Sequence, residues 1–134
     1  MTYYYLDTSI WMDFYEKRGK HGEYILLFLK KLLQSTDIVL VSDILIKELK
    51  SLYLSMEQIH NTFRVLRPNH IRYIFTTKSL RDESRNLTTR KKIPYSDALH
   101  ALLSRDYEAI LLSRDHDFAQ LSSITHARLP EEFL

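Results

Sequence analysis

Four short runs along the chain are apolar almost without interruption: YYYL (3–6), IVLV (38–41), IRYIF (71–75) and AILL (109–112). Their length and their content of β-branched and aromatic residues predict strands buried on both faces, as in a parallel sheet. Between them the apolar positions change to a helical period. Ile25, Phe28, Leu29, Leu32 and Leu33 lie on one helix face, and Tyr95, Ala98, Leu99, Leu102 and Leu103 repeat the spacing. Ser55 and Gln58 form a capping box ahead of a helix through about Leu66, and Thr77 to about Arg90 is a more polar helix held by Leu80 and Leu87. A further helix is expected to start near Ser9, and Leu45, Leu49 and Leu52 mark another stripe. Strands alternating with helices predict an α/β domain whose parallel sheet is covered on both faces.

Composition narrows the class without naming a chemistry. The 134 residues suit one domain, 1–134, and two glycines and three prolines leave no linker, repeat or low-complexity tract. The absence of cysteine removes disulfides and thiolate metal sites and suits a reducing compartment. The start MTYYYLDTS lacks the basic and apolar regions of a signal peptide, and no apolar run is long enough to span a bilayer, so a cytoplasmic protein without a membrane partner is expected. A formal charge of +2 permits nucleic acid as a partner but does not demand it. Positive charge gathers at Lys17, Arg18 and Lys20 and again at Arg90, Lys91 and Lys92; alone, such clusters read as solvated faces.

The informative residues are acids. Parallel sheets bind ligands beyond the carboxyl ends of their strands. There Asp7 follows the first run, and Ser113, Asp115 and Asp117 follow the fourth. No glycine-rich phosphate loop follows either, which removes nucleotide-binding loops and points to a cation. Glu48 falls inside the Leu45, Leu49, Leu52 stripe, where the pattern asks for a hydrocarbon. Each acid has a structural explanation: Asp7 and Asp97 suit helix starts, and Glu48 could reach solvent from the edge of its stripe. Gathered at adjacent strand ends, however, they would repel by roughly 4 kcal/mol per pair at about 4 Å and an effective dielectric near 20. A divalent cation with oxygen ligands, Mg²⁺ or Mn²⁺, relieves that cost. His100, one turn after Asp97, and His116, between two aspartates, have no second histidine at ligand spacing, and both read as helix-surface or loop residues.

The order LDTSIW, ILIKEL, PYSDALHALL, LLSRDHDF and a terminal RLPEEFL resembles the PIN-domain family, in particular its small single-domain toxin ribonucleases of VapC type. The resemblance covers essentially the whole chain. It implies a three-layer α/β/α sandwich with strand order 3-2-1-4-5 and makes Asp7, Glu48, Asp97 and Asp115 the catalytic, metal-binding carboxylates, with Asp117 a less regular fifth acid. Thr8 and Ser113 match hydroxyls that shape the acidic pocket, though helix capping explains both equally well; position 9 is Ser where many members carry Asn. It also implies an RNA substrate, a homodimer and a cognate antitoxin protein.

The expected chemistry is endoribonuclease cleavage in which Mg²⁺ or Mn²⁺ activates water for in-line attack, with the two basic clusters holding the RNA backbone. A housekeeping RNA-processing nuclease and a non-catalytic RNA- or protein-binding module on the same scaffold stay open. Phosphoaspartyl proteins fit poorly, since DTS replaces the Asp-x-Asp of one class and no late lysine serves the other.

Overall fold

The computed structural model describes residues 1–134. Its elements follow in the order β1 (Tyr3–Leu6), α1 (Thr8–Tyr15), α2 (Gly19–Leu33), β2 (Ile38–Ser42), α3 (Asp43–Ser51), α4 (Met56–Phe63), β3 (Ile71–Ile74), α5 (Lys78–Lys91), α6 (Tyr95–Asp106) and β4 (Ile110–Leu112), with 3-10 turns at Arg64–Leu66, His116–Leu121 and Pro130–Phe133. Helix starts are set by side chains the sequence advertises. Asp7 caps α1, Ser42 caps α3, Thr77 caps α5, and the Ser55–Gln58 box closes on α4.

The four strands pair in parallel in the order β3-β2-β1-β4. Alternate residues of β1 and β2 enter two cores, which is why these runs are apolar throughout rather than at every second position. Tyr4, Leu6, Val39 and Val41 pack with Ile10, Trp11, Phe28, Leu45 and Phe63 beneath α1 to α4. Tyr5, Leu40, Leu111 and Ile74 pack with Leu80, Leu87, Leu99 and Leu102 beneath α5 and α6. The result is the expected α/β/α sandwich.

Three details differ from expectation. The fifth strand is reduced to one parallel bridge between Leu112 and Arg128, where Arg128 N–H donates to Leu111 O at 2.8 Å and Ser113 N–H to Arg128 O at 3.0 Å. The third run is an edge strand, so Arg72 and Tyr73 face solvent, and Phe75, beyond its end, is 68% exposed. Leu52 lies past the end of α3 as its C-cap and is exposed, leaving Leu45 and Leu49 as the buried stripe.

Candidate active site

Because β1 and β4 are neighbours, Asp7 and Ser113 emerge side by side at the carboxyl end of the sheet. The register Leu6–Leu112 and the bond from Asp7 N–H to Leu112 O at 3.1 Å fix that juxtaposition. Helix α6 begins at the same edge and brings in Asp97 from its first turn. Carboxylate oxygens of Asp97, Asp115 and Asp117 come within 4.8 Å of one another. Asp117, the least expected of the acids, is thus a full member of the outer cluster.

Asp7 and Glu48 lie deeper and are held by other groups. The Asp7 carboxylate accepts hydrogen bonds from Ser9 Oγ at 2.6 Å, from Ile10 N at 3.2 Å and from Ser113 Oγ. Capping and site geometry are therefore served by the same side chain. Ser113 Oγ also accepts from Asp115 N at 2.9 Å, so it ties Asp7 to the loop of the outer cluster. Thr8 Oγ1 donates to Glu48 Oε1 at 3.1 Å, and His100 Nε2 meets the same oxygen.

The electrostatics separate these acids. Burial pushes the Asp7 carboxyl up, only partly countered by the Ser113 and Ser9 hydroxyls. Asp97 is pushed up to about 6, first by burial and then by the charge of Asp115, with Asp117 and Glu48 adding to it. Glu48 goes the other way: burial raises it, but the hydrogen bond and attraction of His100, with the Thr8 and Ser96 hydroxyls, outweigh that and hold it below the ordinary carboxylate range. The available donors are all oxygens, and the carboxylates repel one another. That set suits a hard divalent cation.

The basic clusters are less uniform than the sequence suggests. Arg90 and Lys91 form the last turn of α5, Lys92 is its left-handed C-cap, and only Ile93 and Pro94 separate that turn from α6. Lys17 and Lys20 are exposed, whereas Arg18 is engaged by Glu16 at 2.8 Å and Asp13 at 3.6 Å. The largest surface cavity, about 590 Å³, lies away from the acids between α1, α2 and α4, lined by Phe14, Tyr15, Leu26 and Gln58 among others.

Four polar residues near the acids were not singled out as site residues by sequence: Tyr5, Ser9, Ser42 and His100. His100 is not a surface residue but 1% exposed, because Ala98 to Ser104 of α6 is buried all round. Only its position one turn after Asp97 hinted at this.

A parallel α/β sandwich with carboxylates converging at the carboxyl end of its central strands is thus the class that fold and site define. The sequence matches the PIN domain family over residues 4–124, and the chain belongs to that family. No curated protein matches it in sequence. Among solved structures it is similar to VapBC2 from Rickettsia felis bound to a DNA fragment from the promoter, with a TM-score of 0.68, 20% identity, and 92% of this chain and 96% of that chain covered. It is also similar to Mycobacterium tuberculosis VapC20, a toxin that cleaves the sarcin-ricin loop, with a TM-score of 0.67, 15% identity, and 87% and 93% covered. At such identities these likenesses speak for the fold.

Proposed function

We propose that residues 1–134 act as a single endoribonuclease domain, dependent on Mg²⁺ or Mn²⁺ and serving as the toxin of a toxin–antitoxin pair. The observation that carries this reading is the convergence of Asp97, Asp115 and Asp117 within 4.8 Å in a chain of the PIN family. Those three, with Asp7 and Glu48 behind them, would hold the ion. When bound, it supplies positive charge against a scissile phosphate and a water of lowered pKa.

The chain's own residues do the rest. Ser9, Ser113 and Ile10 N–H hold the Asp7 carboxylate in one orientation, and Thr8 and His100 hold Glu48. Lys17, Lys20 and the Arg90–Lys92 turn offer exposed charge for RNA phosphates, which adds affinity without sequence preference. Arg18 is already paired and contributes less. The Rickettsia felis relative is a complex with its partner, which supports a cognate antitoxin here. We place the protein in the cytoplasm as a homodimer; no helix is long and apolar enough to cross a membrane.

Purified protein incubated with total RNA tests this. Cleavage that requires Mg²⁺ or Mn²⁺, stops with EDTA, leaves 5′-phosphate and 3′-hydroxyl ends and is absent in Asp97→Asn is the expected result. Ends carrying 2′,3′-cyclic phosphate, or full cleavage without metal, would refute it. A binding module without catalysis would show neither metal response nor cleavage.

A further inference from the structure

Behind the acids runs a string of buried polar groups. His100 Nε2 meets Glu48 Oε1, and His100 Nδ1 meets the Tyr5 hydroxyl. The Tyr5 hydroxyl also lies 2.6 Å from Ser42 Oγ, which accepts from Leu45 N at 3.1 Å. Tyr5 and Ser42 are completely buried. Each member comes from an element that carries an acid: Tyr5 from β1 ahead of Asp7, Ser42 from the cap of the Glu48 helix, and His100 from the Asp97 helix.

The protons in this string have one consistent direction. Ser42 Oγ accepts from Leu45 N–H, and its own proton has the Tyr5 oxygen as its acceptor within reach, so it points there. The Tyr5 proton then goes to Nδ1, which must be bare, and the imidazole proton sits on Nε2 facing the Glu48 carboxylate. With a proton on Nδ1 instead, Tyr5 would donate to Ser42, whose own O–H would be left without a protein acceptor in a fully buried position. A buried donor without a partner is costly, so the first arrangement wins.

We infer that His100 and Tyr5 are positioning residues for Glu48. Through the Nε2 proton they commit Oε1 inward, together with Thr8, and reserve Oε2 for the cation. This rests on the reading of Glu48 as a metal ligand. A residue present only to fill space would be replaced without loss by leucine, whereas a glutamine at this position places an amide N–H close to where Nε2 stands.

Two measurements decide. In metal-free protein at pH 8, long-range ¹⁵N–¹H correlation should show one histidine, absent in His100→Gln, protonated on Nε2 and bare on Nδ1; a proton on Nδ1 overturns the string. Mn²⁺ affinity, read by EPR of the free ion on variants checked for cooperative melting, should weaken about 10–100-fold in His100→Leu and stay within about 3-fold in His100→Gln, as expected for loss and retention of an outer-shell partner. Tyr5→Phe, which keeps the ring, should fall between them. Equal binding by all variants, or equal loss in Leu and Gln, overturns the positioning role. Failure of the unaltered protein to bind Mn²⁺ is a different outcome: it removes Glu48 as a ligand, while the tautomer measurement still reports on the string.

Discussion

At the residue scale, the carboxyls of Asp97 and Glu48 are shifted in opposite directions, Asp97 up and Glu48 down. The folded state keeps the Asp97 proton up to about pH 6, well above where an unfolded chain releases it. Native protein therefore binds more protons across that window, and the associated stability, fully present below the unfolded pKa, is lost as pH rises through about 6. Asp97→Asn should stabilise metal-free protein at pH 7 by about 1–2 kcal/mol once partial exposure is discounted, and should flatten this part of the pH profile while abolishing cleavage. Urea unfolding at pH 4.5 and 7 checks it; equal loss of stability at both would show Asp97 to be a structural acid. Glu48 has a lowered pKa, so its charge contributes stability above the unfolded pKa and loses it as pH falls. In Glu48→Gln the amide oxygen still accepts from His100 and Thr8, so the fold should lose only about 1 kcal/mol, while the Mn²⁺-induced rise in melting temperature shrinks. A loss of several kcal/mol with an intact metal response would make it a purely structural ion partner.

At the scale of elements, the acidic loop after β4 is held by a clamp on its Arg114. Nε donates to buried Asp13 of α1 at 3.3 Å, while Nη1 and Nη2 grip Glu131 of the terminal turn at 2.9 and 2.8 Å. Arg114→Ala would leave Asp13 with only the longer contact to Arg18 at 3.6 Å. We expect a loss of about 2–3 kcal/mol in chemical denaturation and weaker Mn²⁺ binding, since the clamp lies between Ser113 and Asp115. The corner between α1 and α2 is equally specific. A Cβ on Gly22 would stand 2.9 Å from the Lys17 carbonyl carbon and 3.0 Å from Asp13 O, both backbone atoms. Gly22→Ala should therefore cost about 1–3 kcal/mol by overpacking, visible as a lower urea midpoint with unchanged slope.

For the whole molecule, a cation that binds only the folded state must raise stability by mass action. At a hundred-fold excess over its dissociation constant the gain is about 2.7 kcal/mol, roughly 10 °C for a domain of this size. EDTA should reverse it fully. Calcium offers a control, because its looser, larger coordination can stabilise a carboxylate cluster without the geometry that catalysis needs. RNA binding should weaken steeply with salt if the exposed Arg90–Lys92 turn and Lys17 and Lys20 meet phosphates, and substitutions there should reduce the slope of log affinity against log salt.

Local signals in the sequence determined the elements, because each is written within a few residues. The continuous apolar runs locate β1, β2 and β4, and the cap at Ser55 and the spacing of Leu80 and Leu87 locate their helices. The presence of misplaced acids was equally legible, since a carboxylate beside Leu45 and Leu49 breaks a pattern visible in one dimension. What only the tertiary structure decided is which groups meet. That Asp117 joins Asp97 and Asp115, and that the fifth strand shrinks to a single bridge, depend on how separate elements pack against one another. His100 shows the reason most clearly. Its burial comes from elements packed around every side of α6, and its partners Tyr5 and Glu48 lie on a strand and a helix remote in sequence. Local chemistry specifies the shape of a segment, but the surroundings of a side chain are set by whatever the rest of the fold brings against it.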